Sequence, residues 1–297
     1  MKEFPLIRVF PRRTEMTPTD RYAFVGDPPA WLWPMKDAHS HFPVSVSCLF
    51  TWDIPEAQRL KKSWSRLFNN VELGGPALGS PVLEFIPGRF VKEGAVFTFR
   101  GCSRSCRFCL VPRREGKLRE LPISNGFNIL DNNLLACSDT HILQVFNMLT
   151  MQKSPAVFSG GLDARFLQPW HVELLKSIRL KEMFFACDNK SSVRYLRRAG
   201  RLLTDFSREK KRCYVLIGYR GETPKQARDR LVEVFNLDFL PFAMLYRGPN
   251  ANSRNTPEFH DLVGKWRSPS AYKMEMEGPR RPLKGGKQLE MSECKNS

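Results

Sequence analysis

Apolar positions recur along the chain in two alternating rhythms. Short runs of about six apolar residues mark strands, and longer stretches with apolar positions three and four apart mark amphipathic helices. VFTFRG (96–101), FNILDNNLLA (127–136), AVFSGGLDARF (156–166), MFFACDN (183–189), CYVLIGY (213–219) and LPFAMLYR (240–247) read as strands or strands running into turns. Between them THILQVFNMLT (140–150), HVELLKSI (171–178), SSVRYLRRAGRLL (191–203) and TPKQARDRLVEVFN (223–236) read as helices. Strand and helix in alternation predict a parallel sheet with right-handed crossovers. The expected class is α/β, a partial (β/α)6 TIM-like barrel over 94–248.

Upstream, VSVSCLF (44–50), PEAQRLKKSWSRLF (55–68) and VELGGPALG (71–79) predict a single β-α-β unit. Pro55 suits a first helical turn, and Ala57, Leu60, Trp64 and Leu67 share a face. Residues 1 to about 43 are rich in Pro and polar groups and read as irregular. Residues 1–93 thus form a small N-terminal appendage. Beyond 248, FHDLVGKW (259–266) predicts one docking helix, followed by a basic tail read as disordered.

In a parallel βα array, functional groups gather where the strands end. Polar residues fall at those ends in series. The cysteines follow the first strand, and Asp131-Asn132-Asn133 the second. Gly160 to Arg165 follow the third, Asp188-Asn189 the fourth, Gly218 to Glu222 the fifth and Arg247 the sixth.

Composition sharpens this picture. The chain has 297 residues, 42% hydrophobic and 11% aromatic, which describes a globular protein. No apolar run is long enough to cross a bilayer, so no membrane partner is expected. The start carries no secretory h-region, which predicts a cytoplasmic protein with reduced thiols. A formal net charge of +17 favours acidic partners. Arg100, Arg113, Arg114, Lys117, Arg119 and the helical Arg194, Arg197, Arg198 and Arg201 are candidates to hold nucleic-acid phosphates.

Of the eight cysteines, Cys102, Cys106 and Cys109 form a Cys-x3-Cys-x2-Cys set with Phe108 before the last. Zinc would need a fourth ligand, for which Cys137 or His141 is available. A cubane iron–sulfur cluster normally takes four cysteines, and a socket with three leaves one iron open to another ligand. Cys187 and Cys213 read as core residues. With Cys48, Cys137 and Cys294 they offer no second local ligand set.

The stretch TFRGCSRSCRFCLVPRREG, on the loop after the first predicted strand, resembles the signature of radical S-adenosylmethionine (SAM) enzymes. The resemblance spans about 94 to 247 and is nearest to the methylthiotransferase and cobalamin-associated branch. It implies a [4Fe-4S] cluster on Cys102, Cys106 and Cys109, with SAM chelating the open iron. It further implies reductive cleavage of SAM to a 5′-deoxyadenosyl radical, fed by a donor such as a flavodoxin or ferredoxin. Phe108, Asp131, Asn132, Gly160, Gly161, Asp163, Arg165, Asp188 and Gly218 are the implied SAM contacts, with a turn or cap role as the alternative for each. Family members carry a Gly-Gly-Glu-like motif where this chain has Asp131-Asn132-Asn133. Arg104 and Arg107, between the ligands, either raise the cluster's potential or face an anionic substrate or solvent. Asp37-x-His39 is similar to the start of a cobalamin ligand motif, but Phe42 replaces its glycine, so cobalamin is not expected. The substrate reading is a nucleic acid or nucleotide, with a small molecule or peptide as the alternative. A non-catalytic, zinc-stabilised nucleic-acid-binding protein is the reading from another class.

Overall fold

The computed structural model describes residues 5–35, 40–80, 85–248, 256–268 and 276. Asp37, His39, Cys294 and nearly all of the predicted basic tail lie outside the described residues.

The architecture is mixed α/β with parallel sheets around two apolar cores, one built from residues 7–68 and one from residues 96–266. The smaller sheet contains β1 (Ile7–Phe10), β2 (Ala23–Val25), β3 (Val44–Ser47) and β4 (Val71–Gly74), in the order β2-β1-β3-β4 and all parallel. Helix α1 (Ile54–Trp64) joins β3 to β4 and buries Ala57, Leu60 and Trp64. The predicted β-α-β unit is therefore present, but the expectation of an irregular segment before it is corrected. β1 and β2 supply half of the sheet. The obscuring residue is Arg8, in the middle of β1. It is buried because its guanidinium donates to the carbonyls of Gly88 (3.1 Å) and Arg89 (2.7 Å) and pairs with Asp20.

The larger sheet starts with β5 (Ala95–Val96). The chain then leaves it for β6 (Phe99–Arg100), helix α2 (Val111–Glu115) and β7 (Arg119–Glu120), with β6 and β7 antiparallel. It returns as β8 (Asn128–Ile129), α3 (Asp139–Thr150), β9 (Ala156–Phe158), α4 (Pro169–Ser177) and β10 (Leu180–Ala186). The series continues with α5 (Val193–Leu202), β11 (Lys211–Ile217), α6 (Pro224–Asn236) and β12 (Leu240–Leu245). Helix α7 (Pro257–Lys265) docks on β12. The sheet order is β12-β11-β10-β9-β8-β5, so each strand pairs with its predecessor in the series and the two end strands do not pair with each other. The two expected strands at 96–101 and 127–136 shrink to two-residue pairings, because the backbone beyond them turns away to build loops. Among the described residues, no helix is long and apolar enough to cross a membrane.

Local signals set the helix starts. Ser138 caps α3 by accepting from His141 N, and Thr223 with Gln226 forms a capping box ahead of Pro224 on α6. Cys187 and Cys213 lie in the core, as their apolar surroundings suggested.

Buried Arg230 on α6 ties the carboxyl ends of β10 and β11 together. Its guanidinium donates to the Cys187 carbonyl, to the Leu216 carbonyl (2.6 Å) and to Glu222 (2.5 Å), while Glu222 accepts from Gly218 N (2.9 Å). Replacing one member of a buried pair leaves the other charge uncompensated. Arg230→Ala is expected to lower the unfolding free energy by about 3–5 kcal/mol, read from urea denaturation. A loss within error of an exposed Arg→Ala change, such as Arg201→Ala on α5, would contradict this role.

Candidate functional site

The cysteine loop is closed at its base by a polar clamp. Gly101 N donates to Glu115 Oε2 (3.0 Å) and Cys102 N to the Gly116 carbonyl (3.3 Å). Asn132 Nδ2 donates to both the Gly101 carbonyl and Glu115 Oε2, each at 3.3 Å. Arg100 pairs with Glu115 (3.4 Å) and lies 3.6 Å over the Phe97 ring, and Arg119 donates to the Glu115 carbonyl (2.9 Å). Gly101 has φ 83, and a Cβ there would fall 2.1 Å from the Lys117 carbonyl oxygen, so the closure requires glycine. Within the loop, Cys109 N donates to the Cys106 carbonyl (3.0 Å), a turn that brings the last two cysteines together. Arg100 and Arg119, expected to face phosphates, are committed to this clamp.

Below the clamp sits Asp131. Its carboxylate accepts from Thr98 N (2.7 Å), Thr98 Oγ1 (2.5 Å) and Phe99 N (3.3 Å). His141 Nε2 lies 3.1 Å from Thr98 Oγ1, and its Nδ1 lies 3.8 Å from Glu120. Burial pushes the Asp131 carboxyl up to about 6, against the opposing effect of these hydrogen bonds. Burial also lowers the His141 pKa, so neutral His141 donating from Nε2 completes the chain His141–Thr98–Asp131. Asp131, expected as a cofactor contact, is buried as an internal brace and does not line the cavity.

Above it, a cavity of about 540 Å³ opens between the cysteine loop and the carboxyl ends of β8 to β11. Cys102, Cys106, Cys109 and Phe108 line one wall. Asn132, Gly160 and Gly161 lie at its base, with Asp163, Arg165 and Asp188 on the facing wall. Gly160 packs against β8 so closely that a Cβ would sit 2.3 Å from the Asp131 carbonyl oxygen. Gly218 is the other expected cofactor contact that does not line the cavity. Its φ of 74 and its bond to Glu222 shape the turn that brings Tyr219 and Arg220 to the cavity.

The facing wall is electrostatically paired. Arg165 Nε donates to both Asp163 oxygens (2.7 and 2.9 Å), and Arg165 N donates to Asp163 Oδ1 (3.0 Å). Burial raises the Asp188 carboxyl to about 6, while the nearby Arg230 and Arg165 oppose the rise. Burial also raises the Cys109 thiol. Tyr195 and Tyr214 line the cavity without having been anticipated, and Asn133 and Tyr219 line it from within the strand-end series without having been singled out. Asn133 Oδ1 accepts from Asp163 N (3.1 Å), and its Nδ2 is buried without a partner among the described residues. Phe108 packs edge-on against Tyr219, ring centroids 5.5 Å apart, so the cysteine loop leans on the end of β11. The signal for Asn133 was present in the Asp131-Asn132-Asn133 triplet. Which of the three turns inward was not.

Cys137 and His141, the candidate fourth zinc ligands, do not line the cavity. Cys137 packs against the core, with its thiol pushed up to about 12 by burial. Among the described residues, no three His, Cys, Asp or Glu side chains are gathered to hold a single metal ion. The three cysteines line the same cavity as Asn132, Asn133, Arg165, Asp163 and Asp188. No protein-family model matches the chain, and no curated protein is significantly similar to it.

Asp131→Ala is expected to cost about 1–3 kcal/mol of stability for each buried N–H it strands. Asp131→Asn, which keeps an acceptor, should cost less. Urea denaturation of the two variants checks this, and equal losses would count against the brace.

Proposed function

We propose that the chain is a cytoplasmic radical SAM enzyme whose larger sheet forms an open (β/α)6 TIM-like barrel. The observation that carries this reading is that Cys102, Cys106 and Cys109, with no fourth cysteine among the described residues, line the cavity at the carboxyl ends of the parallel strands. Three thiolates are the complement of a [4Fe-4S] cluster with one open iron. When bound, the reduced cluster supplies one electron to the sulfonium of SAM, which yields methionine and a 5′-deoxyadenosyl radical able to take a hydrogen atom from the substrate.

The chain's own residues bind and orient. Asn132 spends its Nδ2 on the loop clamp, which leaves Oδ1 to accept from the methionyl ammonium. The Arg165 guanidinium is a donor for the carboxylate. Asp188 accepts from a ribose hydroxyl, and Gly161 allows close approach of the ligand to the backbone. Phe108 and Tyr219 pack together at the loop side of the cavity. The electron arrives from a small donor such as a flavodoxin or ferredoxin. The basic surface favours a nucleic acid or nucleotide as substrate.

Anaerobic reconstitution with iron and sulfide is expected to give a brown protein with about four irons per chain. With a reductant and SAM it should release 5′-deoxyadenosine. Cys106→Ala should lose both colour and cleavage. Bound zinc, no colour and no deoxyadenosine would overturn the reading.

A further inference from the structure

The smaller sheet has a carboxyl edge of its own. Its order, β2-β1-β3-β4, reverses direction between β1 and β3, and in open α/β sheets ligands bind outside the carboxyl ends of the strands at such a point. Immediately after β3 the chain turns through Thr51–Asp53 and presents Trp52, 43% exposed. That turn is held by buried Asp53, which pairs with Arg12 at the end of β1. Phe50 stacks on Trp52 with centroids 4.7 Å apart and planes within 9°.

From Trp52 a line of contacts runs to the cavity. The Arg247 guanidinium lies 4.6 Å over the Trp52 ring. Its neighbour Tyr246 meets Tyr219 at 4.9 Å, and Tyr219 both lines the cavity and meets Phe108. Arg220, at the rim, takes φ 51, a conformation costly for a residue with a Cβ, and its guanidinium lies 5.6 Å from the Tyr219 ring. Arg220 and Arg247 are exposed and enter no ion pair among the described residues.

Flat rings interleaved with guanidinium groups that have no carboxylate partner among the described residues suit a single-stranded nucleic acid, a base displacing Arg247 from the Trp52 ring and the freed guanidinium meeting a phosphate. A small acidic molecule would use the charge but not a row of rings reaching to a second sheet. A duplex keeps its bases stacked on one another and offers no face to Trp52. We propose that this aromatic–arginine rail is the docking track for a single-stranded nucleic-acid segment, which delivers one nucleotide to the cavity mouth. The smaller sheet is then the substrate-binding unit. The proposal builds on the reading of the cavity as the catalytic site, and it assigns that site's substrate class.

The test is binding of a labelled 12-nucleotide single-stranded RNA to the full chain, followed by fluorescence anisotropy over a range of salt. Trp52→Ala is expected to weaken binding roughly five- to a hundredfold, the range for losing one base stack. Arg220→Ala and Arg247→Ala should each reduce the salt slope by about 0.7. Lys61→Ala with Lys62→Ala, on exposed α1 positions, should leave the slope unchanged. Trp52→Phe should retain binding, since it keeps a ring, while losing part of the tryptophan quenching that the RNA produces. It therefore separates stacking from a folding defect. Three results would overturn the proposal: unchanged affinity and slope in the rail variants, equal binding of a duplex of the same length, or equally effective competition by polyglutamate. Because binding is read without turnover, the two readings can fail apart. RNA binding with these dependences but no SAM cleavage sinks only the proposed function. Cleavage of SAM with no RNA binding sinks only the rail.

Discussion

The mouth of the larger sheet depends on the buried carboxylate of Asp131 and the backbone N–H groups of Thr98 and Phe99 that it accepts from. A parallel sheet ends with backbone donors and acceptors that its neighbours no longer satisfy, and burying them unpaired is costly. Asp131 meets that requirement where β5 gives out, so the chain can leave the sheet, build the β6–β7 hairpin and project the cysteine loop over the strand ends. Thr98 and His141 extend the same brace outward to Glu120. On the other side of the mouth Arg230 does the corresponding work for β10 and β11, bonding carbonyls where Asp131 bonds N–H groups. Both ions pay a desolvation cost, so what they chiefly provide is a single defined arrangement of the strand ends.

Held this way, the cavity has two chemically different walls. One carries three cysteine thiols on a loop whose base is locked by Gly101, Glu115 and Asn132. The other carries polar donors and acceptors, with Asp163 already neutralised by Arg165. Charge is sorted by depth. Arg100, Arg165 and Arg230 are ion-paired inside the fold, whereas Arg104, Arg107 and Arg220 are exposed where the cavity opens. The excess positive charge of the chain therefore reaches the cavity from outside, where a ligand arrives, and not from its base.

The N-terminal segment shows how one buried charge can hide a strand. Arg8 interrupts the apolar run IRVF, yet its guanidinium meets carbonyls of residues 88 and 89, eighty positions away in the chain. Those contacts, with the Lys92 N to Met16 carbonyl bond (2.8 Å), run between the N-terminal segment and the chain just ahead of the larger sheet. The carboxyl edges of both sheets then share the contact between Trp52 and Arg247.

The helices were legible because their information is local. Apolar spacing marked the buried face of α1 and Pro55 its first turn, and the same local rhythm placed α3 to α7 to within about two residues of their starts. Strand alternation likewise implied the parallel order, and the cysteine spacing with the polar strand ends pointed to one shared mouth. Three matters were decided only in the tertiary structure. β1 and β2 exist through pairing with β3 and through Arg8's distant partners, not through any pattern of their own. Asp131 turns inward while Asn132 and Asn133 line the cavity, because a side chain's direction past a two-residue strand depends on where the backbone bends. Arg100 is bound into the clamp while Arg220 stands at the rim, since only the neighbouring carboxylates determine which arginines stay unpaired. Residue types and spacing determine which groups are available, and long-range packing determines which of them meet.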